Sequence, residues 1–306
     1  MPELNTFSIV GQCPETRCVG VAVATAVPAV GSMCPFTRPG VGAVSTQSWV
    51  NPYLAIAVLD AMAGGATASD ALARALFDDP ARELRQIGVV DAAGRAASWS
   101  GSGCTGWFGH EVGEGFAVQG NMLTGPEVIA AMAQAWRAGA GRALGERLMR
   151  AMEAGDRAGG DKRGKQSAAL RIQGAEDYPA LDLRVDEHAE PVKELRRVLD
   201  IAVRQLVPFV EGMPKRGAPP GPAPEEVTQL LARAPQDRPG GTGDNGTAAR
   251  LAAATGLPPD AGRLQFLLAQ FAPILREIEL LRSVDLAAVH PPVIFDPTLP
   301  YRRMQP

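Results

Sequence analysis

The sequence predicts an α+β protein whose sheets are mainly antiparallel and covered by helices. Three observations support this class: strand candidates come in pairs joined by short turns, helix candidates separate these groups, and regular strand–helix–strand alternation is missing. A chain of 306 residues with 46% hydrophobic and 21% charged residues can build one or two packed domains. A wholly disordered chain is therefore excluded.

The predicted strands are short runs rich in β-branched residues and bounded by Gly, Pro or charged turns. The first two flank the turn CPETR, which predicts an N-terminal hairpin. In chain order the predicted strands are Thr6–Gly11, Cys18–Val27, Gly42–Trp49, Gln86–Asp91, Arg95–Ser100, Gly106–Val112, Phe116–Met122, Ser167–Gln173 and Leu181–Val185.

Helices are predicted where Pro or a capping residue precedes apolar residues at three- and four-residue spacing. Pro52 begins the first helix, and Ser69 with Asp70 precedes a second, short one. The later helices of this part are Glu127–Ala138, Ala143–Glu153 and Pro191–Phe209.

The composition changes after residue 212, which predicts a domain boundary. In residues 213–247, 13 of 35 residues are Gly or Pro, so this segment is predicted to be a linker with one helix at Glu225–Arg233. An apolar stripe then predicts a long helix over Gly262–Arg282, kinked at Pro273. We therefore divide the chain into a domain over 1–212, a linker over 213–247 and a small helical module with an extended tail over 248–306.

Charge and hydropathy exclude several classes of partner. Thirty basic and 33 acidic side chains give a net charge of -3, which offers no attraction to nucleic acid or an anionic membrane. No window of about 18 apolar residues occurs, as a membrane-spanning helix would need. The N-terminal MPELNTFSIVGQ lacks the basic and apolar regions of a signal peptide, so we expect a cytoplasmic protein.

Neither a metal nor a nucleotide cofactor is expected. The four cysteines form no CxxC motif and have no His at ligand spacing. The GxGxxG match at 101–106 leads into a predicted strand instead of a helix, and GGDKRGKQ at 159–166 lacks the Ser or Thr of a phosphate loop. The three histidines, at 110, 188 and 290, lie in charged or tail segments, so a histidine base is not expected.

An N-terminal threonine offers nucleophilic catalysis without histidine, because its own α-amine can take the hydroxyl proton. The unperturbed pKa of an α-amine, about 7.7–8, lies close to working pH. Thr6 opens the first predicted strand, which is a suitable place for such a nucleophile.

The domain over 6–210 resembles a known family along its whole length. The runs that carry this resemblance are TFSIVG, GVAVATAVPAVGS, GVGAVSTQSWVNP, RQIGVVDAAGRAA, QGNMLTGPEV, GGDKRGKQSAALRI and LDLRVDEHAEPVKELRRVLD. They closely resemble the uncharacterised bacterial domain-of-unknown-function family 1028. The resemblance implies a fold like that of N-terminal-nucleophile hydrolases, a four-layer αββα sandwich of two antiparallel sheets.

The resemblance places Thr6 at the position of a threonine that in many members directly follows the initiator Met. This chain departs from that pattern, because Pro2, Glu3, Leu4 and Asn5 intervene. Three alternatives stay open: the Asn5–Thr6 bond is cleaved, the true start differs, or the Thr6 mechanism fails and Thr6 is an ordinary strand residue.

The same resemblance gives weight to polar residues that interrupt the predicted strands and one loop. Asn121 and backbone N–H groups near Gly120 would hold the oxyanion of an acyl transfer. Asp161, Arg163 and Gln166 would orient the amine or bind a polar substrate, the alternative being a solvated, charge-paired loop. The remaining substrate-binding candidates are Thr25, Ser45, Thr46, Gln47 and Gln119.

The C-terminal module resembles the small C subunit of glutamyl-tRNA amidotransferase and related amidase-associated subunits, on the basis of its long helix followed by LRSVDLAAVHPPVIFDP. That resemblance implies binding of an amidase-signature protein by residues 248–306. Alternatively, the helix packs on its own domain or forms a homo-oligomer.

Together the two resemblances imply a hydrolase of non-peptide C–N bonds, which we expect to act on a small polar amide, ureide or cyclic imide and to be coupled to a separate amidase. The alternative is a non-catalytic accessory subunit that stabilises an amidase.

Overall fold

A computed structural model of the chain describes residues 6–218, 221–222, 224–235 and 238. Ten strands form within these residues: β1 Thr6–Gln12, β2 Val19–Thr25, β3 Pro35–Arg38, β4 Gly42–Ser48, β5 Arg85–Asp91, β6 Ala96–Ser100, β7 Trp107–Gly113, β8 Phe116–Leu123, β9 Ser167–Gln173 and β10 Leu181–Val185. The α-helices are α1 Pro52–Ala63, α2 Ala68–Phe77, α3 Glu127–Ala138, α4 Leu144–Arg157, α5 Pro191–Gln205, α6 Val207–Glu211 and α7 Glu225–Ala232.

The strands form two antiparallel sheets. The larger sheet has the order β10-β9-β2-β1-β8-β7, and the smaller has the order β3-β4-β5-β6. The α+β class with antiparallel sheets is thereby confirmed. Strand β1 lies in the middle of the larger sheet, between β2 and β8, so side chains at its start are enclosed on both sides.

The two sheets contact each other, and helices cover their other faces. Strands β1 and β2 contact β4, and β8 contacts β5. Helices α3, α4 and α5 pack on the larger sheet around Phe7 and Trp136, while α1 and α2 pack on the smaller sheet. Period-two alternation explains this division, because Phe7 and Ile9 of β1 face the helices whereas Thr6, Ser8 and Val10 face the smaller sheet.

Local signals account for several helix boundaries. The Asn51 side chain accepts a hydrogen bond from the Tyr53 N–H at the start of α1, and the Thr67 hydroxyl caps α2 by accepting from the Asp70 N–H. The second helix therefore begins before Ser69, and the expectation that Ser69 and Asp70 precede it was wrong. The expected single helix Pro191–Phe209 is interrupted at Leu206, two residues before Pro208, which lacks an N–H.

The first residues of the expected linker lie against the main domain. The Tyr178 hydroxyl donates to the Pro214 carbonyl at 2.9 Å, and the Arg216 N–H donates to a Glu176 carboxylate oxygen at 2.9 Å. Helix α7 occupies the helix position expected in this segment. The expected module over 248–306, including the helix Gly262–Arg282, lies outside the described residues.

No helix in the described part of the chain is long and apolar enough to cross a membrane.

Candidate active site

A buried layer of polar side chains lies between the two sheets, at the end where β1 begins. We call it the polar layer; each of its side chains is at most 1% exposed. Burying a polar group is costly unless it is hydrogen-bonded, so this density of hydroxyls and amides needs a network of partners. Its members are Thr6, Ser8, Thr25, Ser45, Gln47, Gln86, Gln119 and Asn121.

Thr6 is the first residue of β1 and lies between two of the predicted site residues. It pairs with Thr25 on β2 and with Asn121 on β8. Its Oγ1 donates to the Thr25 Oγ1 at 3.1 Å. The structure therefore brings the predicted nucleophile, a second hydroxyl and the predicted oxyanion donor together at one point of the larger sheet.

A continuous chain of hydrogen bonds runs from Gln119 to the Thr6 backbone. The Gln119 Nε2 donates to the Ser8 Oγ at 2.6 Å, and the Ser8 hydroxyl donates to the Gln47 Oε1 at 2.5 Å. The Gln47 Nε2 then donates to the Thr6 carbonyl oxygen at 3.2 Å. This chain links both sheets and fixes the orientation of the Gln47 amide.

Gln86 connects the largest number of groups in the polar layer. Its Oε1 accepts from the Gln47 Nε2 at 2.8 Å and from the Asn121 Nδ2 at 2.9 Å, and its Nε2 donates to the Gly120 carbonyl at 2.8 Å and the Ser100 Oγ at 2.8 Å. The sequence reasoning missed Gln86, although it is an amide in an apolar strand, which is the signal that identified Gln47. Gln86 holds the Gly120–Asn121 segment against the smaller sheet.

Two buried polar atoms of this layer have no hydrogen-bond partner in the part of the chain that the structure describes. They are the Ser45 Oγ and the Gln119 Oε1. Gly88 pairs with Ser45, and a Cβ at residue 88 would lie 2.0 Å from the Gln119 Oε1. A glycine is thus required for Gln119 to approach β5.

The loop from Gly159 to Gln166 hydrogen-bonds to β8 and β2, the two strands that flank β1. The Lys162 N–H donates to the Met122 carbonyl at 3.1 Å, and the Gln166 N–H donates to the Thr25 carbonyl at 2.7 Å. Since Met122 follows Asn121 on β8 and Thr25 ends β2, the loop crosses the start of β1, where Thr6 lies.

Within this loop, Asp161 and Arg163 differ in exposure. The Asp161 side chain is fully buried, and its Oδ1 accepts from the Arg163 N–H at 2.8 Å. The Arg163 side chain is 41% exposed, with its Nη2 3.6 Å from the Asp161 Oδ2. The loop therefore presents the exposed Arg163 guanidinium beside a buried carboxylate, next to the exposed Lys162.

Two residues next to the polar layer have left-handed backbone. Ser48 has a φ of 65° and follows Gln47, while Met122 has a φ of 49° and follows Asn121. This conformation is unfavourable for residues with a Cβ and persists where the surrounding structure enforces it, often at functional sites. The strain marks the strand ends that carry two of the site amides.

Thr46 is the one predicted site residue that points away from the polar layer along β4. Its Oγ1 donates to the Asn51 carbonyl at 3.4 Å, at the start of α1, whereas Ser45 and Gln47 face the larger sheet. Successive strand residues alternate between faces, which accounts for the difference.

His110 lies at the edge of the network without being a member. Its Nδ1 is 2.9 Å from the Ser100 Oγ, which in turn accepts from Gln86. Burial lowers the pKa of His110, which favours the neutral imidazole.

The chemistry available at Thr6 is that of a hydroxyl whose strand partners and hydrogen-bond partners are neutral. Asn121 and Gln47 are amides, Thr25 supplies a hydroxyl, and in the described ranges no group of three or more His, Cys, Asp or Glu is placed to hold a metal ion. The arrangement can orient a hydroxyl and donate hydrogen bonds to a developing negative charge.

Comparison with solved structures finds the same fold in protein SPO2555 from Silicibacter pomeroyi, which carries a DUF1028 description. The two chains are 28% identical, with a TM-score of 0.64 over 69% of this chain and 92% of that one. No curated protein matches the chain.

Two weaker matches are to Anbu (ancestral beta-subunit). Anbu from Yersinia bercovieri is 9% identical, with a TM-score of 0.33 over 69% of this chain and 100% of that one. A Gly-1 mutant of Anbu from Hyphomicrobium sp. strain MC1 is 13% identical, with a TM-score of 0.32 over 68% and 99%. Similarity at this level indicates nothing about the function of the present chain.

The model of the family of unknown function DUF1028 matches residues 6–195. This match covers more than half of the chain and confirms the resemblance found in the sequence. The chain therefore belongs to the DUF1028 family.

Proposed function

We propose that this protein is an amide-bond hydrolase of the N-terminal-nucleophile type, acting on a small polar amide, ureide or cyclic imide. The observation that carries the proposal is the position of Thr6, whose hydroxyl lies beside Thr25 and whose strand partner is the amide Asn121. The side chains that hydrogen-bond to Thr6, those of Thr25 and Gln47, are neutral and offer no base, so the α-amine of Thr6 itself is the proposed base.

We propose with it the four-layer αββα order of that fold class. Its support is the packing of α3, α4 and α5 on the larger sheet, of α1 and α2 on the smaller sheet, and of the two sheets on each other.

The mechanism requires a free Thr6 amine, so we propose that the Asn5–Thr6 peptide bond is cleaved. The family match begins at Thr6, which places Met1–Asn5 before the family's own domain. After cleavage the amine takes the Thr6 Oγ1 proton as the oxygen attacks the substrate carbonyl. The ammonium then returns this proton to the leaving nitrogen, and water hydrolyses the ester left on Thr6.

Asn121 is the proposed donor to the oxyanion of the tetrahedral intermediate. Its Nδ2 carries two hydrogens, and Gln86 Oε1 accepts one of them. This hydrogen bond orients the amide and leaves the second hydrogen for the substrate oxygen. Gln86 also holds the Gly120 carbonyl, so it is a positioning residue for the whole segment, whose backbone N–H groups are the proposed second donors.

The exposed guanidinium of Arg163 is the proposed contact to a polar group of the substrate. Asp161 holds the Arg163 backbone, and Gln166 fixes the loop to Thr25. Ser45 and Gln119 lie one step deeper between the sheets and are proposed to support the polar layer instead of touching the substrate.

Residues 248–306 are proposed to bind an amidase-signature protein, on the basis of sequence resemblance alone. Because residues 214 and 216 hydrogen-bond to the main domain, the chain should be truncated after Arg233 to test this. Truncation is expected to abolish co-purification with the amidase and to leave the melting temperature of the main domain unchanged. Retained co-purification would overturn the proposal.

Intact-mass analysis of the purified protein tests the proposed mechanism. The mature chain is expected to begin at Thr6 and to gain one acetyl group on Thr6 from p-nitrophenyl acetate. It is also expected to hydrolyse at least one of an aliphatic amide, a ureide and a cyclic imide, as measured by loss of the substrate. Thr6→Ser should retain these properties, and Thr6→Ala should lose them. Active protein that still carries Met1 or Pro2 would overturn the mechanism.

A further inference from the structure

Two cysteines face each other across the turn that joins β1 to β2. The register of these strands pairs Gln12 with Val19, so the next pair is Cys13 with Cys18. The Cys13 N–H donates to the Cys18 carbonyl at 2.9 Å, and this hydrogen bond closes the turn. Neither cysteine is part of a disulfide in the structure.

The two thiol side chains lie on the same face of the larger sheet. Strand residues alternate between faces, and Cys13 belongs with Phe7 and Ile9 to the apolar cluster under the helices. Cys18 packs against the same cluster. The two thiols are therefore neighbours on one face, instead of being separated by the sheet.

The spacing of such a cross-strand pair is close to that of a disulfide. Opposite residues of an antiparallel pair have Cα atoms about 4.5–5.5 Å apart, within the range of about 4.4–6.8 Å found in disulfides. Their Cβ atoms are about 4.5–5.5 Å apart, whereas a disulfide needs about 3.5–4.5 Å. A shift of about 1 Å at the turn closes this gap. Residues 14–17 of the turn are all exposed, so the shift does not disturb the core.

An apolar cavity gives small reagents a route to both thiols. Its volume is about 630 Å³, and its wall contains Cys13 and Cys18 together with Leu144, Ile172 and Leu199. Cys18 is half-buried, whereas Cys13 is only 5% exposed. A reagent in the cavity therefore meets the Cys18 thiol first.

Charged groups beside Cys13 act on its proton. The Cys13 Sγ donates to the Glu15 Oε2 at 3.0 Å. The Arg147 guanidinium is stacked on the Trp136 ring at 3.7 Å. Burial lowers the pKa of Arg147, and its electrostatic interactions with Cys13 and Glu15 partly oppose this shift. A guanidinium near a thiol favours the thiolate, which is the nucleophilic form of cysteine.

We propose that Cys13 and Cys18 are a reversible modification site, at which a low-molecular-weight disulfide such as glutathione disulfide converts the two thiols into one intramolecular disulfide. The Cys18 thiol gives its proton to water, and its sulfur attacks the S–S bond of glutathione disulfide. This step forms a mixed disulfide and expels one glutathione thiolate. The Cys13 thiol then loses its proton, and its sulfur attacks the Cys18 sulfur and expels the second glutathione thiolate.

In this exchange the two protein thiols are oxidised, and glutathione disulfide is reduced to two thiolates that take up the two protons. The shift needed at the turn strains the new bond, and strained disulfides are the ones that thiols reduce easily. The site lies at the end of β1 opposite to Thr6, so the proposal does not rest on the Thr6 mechanism.

The other two cysteines supply internal controls, because neither belongs to a strand. Cys34 is fully buried, and burial raises its pKa to about 12. Its thiolate fraction near neutral pH is therefore ~1,000-fold or more below that of a thiol with the ordinary pKa of about 8.5. Cys104 is 6% exposed, and its Sγ lies 3.6 Å from the Arg85 carbonyl oxygen.

Intact-mass analysis of the full chain tests the proposal. The protein is incubated with excess glutathione disulfide, denatured and alkylated with N-ethylmaleimide. The untreated wild type is expected to take up four maleimides and the oxidised wild type two, and excess reduced glutathione should restore the uptake of four. A disulfide that persists in excess reduced glutathione would contradict the reversible character of the site.

Peptide mapping identifies the bond. Trypsin cleaves after Arg17, so the oxidised chain should give a peptide with Cys13 and a peptide that begins at Cys18, joined by a disulfide until they are reduced. The second peptide also contains Cys34, so the mapping is repeated with Cys34→Ala, which should leave the linkage in place.

Single substitutions separate the two steps of the exchange. Cys13→Ser should stop at the mixed disulfide and retain one glutathione on Cys18; Cys13→Ala serves if the serine variant fails to fold. Cys18→Ser should keep its three remaining thiols, whereas the matched control Cys104→Ser should form the disulfide as the wild type does. Uptake of four maleimides by the oxidised wild type, or a linkage through Cys34 or Cys104, would overturn the proposal.

Discussion

Thr6 and Thr25 face each other across neighbouring strands, with their hydroxyl oxygens 3.1 Å apart. Both are fully buried, and the hydrogen bond between them restricts the rotamer of the Thr6 hydroxyl. If Thr6 is the nucleophile, Thr25 orients it without being the base.

Thr25→Val should therefore slow acylation of Thr6, while Thr25→Ser should not. Valine keeps the shape of threonine and removes the hydroxyl, and a neutral hydrogen bond contributes about 1 kcal/mol, or ~5-fold in rate. The measurement is the rate at which p-nitrophenyl acetate adds one acetyl group to the mature chain. Equal rates for the two variants would show that the Thr25 hydroxyl has no part in orienting Thr6.

Gln86 is the residue whose loss should disturb the polar layer most. Gln86→Met keeps the approximate length of the side chain but leaves the Gln47 and Asn121 amides without their shared acceptor and the Gly120 carbonyl without a donor. Each buried group left unpaired costs about 1–3 kcal/mol, so the free energy of unfolding should fall by at least ~2 kcal/mol. Urea denaturation measures this loss.

Gln86→Glu should make stability depend on pH in a way that the wild type does not. A carboxylate at residue 86 still accepts from Gln47 and Asn121, but it cannot donate to the Gly120 carbonyl. The protonated carboxyl group can make that donation, and burial also favours the neutral form. Both effects raise the folded pKa of the introduced glutamate. Stability should be full below the unfolded pKa of about 4.3 and decrease as the pH rises towards the folded pKa. Urea denaturation at about pH 5 and about pH 8 measures the slope; a variant as insensitive as the wild type would contradict the assigned donor role.

Polar residues that interrupt apolar strands predicted most of the polar layer, and period-two alternation sorts them by face. Thr25, Gln47, Gln119 and Asn121 interrupt apolar strands, and the structure places all four between the sheets. Thr46, between Ser45 and Gln47, faces the opposite side of β4, and its role as a substrate-binding residue stays a prediction.

Pairing between distant strands could not be predicted, because it depends on contacts that leave no local pattern. One such feature is the division of the described strands into a sheet of six and a sheet of four. Another is the position of Gln86 between Asn121 and Gln47, which are 74 residues apart in the sequence. Strand β3 was also missed, since it has four residues, begins with Pro35 and forms an edge.

Ser8 and Ser45 permit a matched test of the network, because both are buried serines facing the same layer. The Ser8 Oγ bonds Gln47 and Gln119, whereas the Ser45 Oγ has no partner among the described residues. Ser8→Ala should lower the free energy of unfolding by about 2 kcal/mol, and Ser45→Ala should change it by no more than about 0.5 kcal/mol. Similar losses in the two variants would mean that Ser45 has a partner, such as a buried water molecule.

The Asp79–Arg85 ion pair should stabilise the folded protein at neutral pH, and this stabilisation should be lost in acid. The hydrogen bond from Arg85 is the largest cause that lowers the pKa of Asp79, followed among the lowering causes by the Ala81 N–H and Asn51. A lowered folded pKa means that the stabilisation is present above the unfolded pKa of about 3.9 and is lost as the pH falls through the folded pKa.

Asp79→Asn leaves the Arg85 charge buried without a counter-charge, which should cost about 3 kcal/mol at neutral pH. The same substitution at the exposed neighbour, Asp78→Asn, should cost no more than about 0.5 kcal/mol. Urea denaturation at about pH 7 and about pH 3 compares the variants. The Asp79→Asn deficit should shrink at the lower pH because Asp79 of the unfolded wild type takes up a proton below its unfolded pKa of about 3.9, whereas the folded pKa is lowered. A deficit that is equally large at both pH values would show that Asp79 acts through its shape and neutral hydrogen bonds and not through its charge.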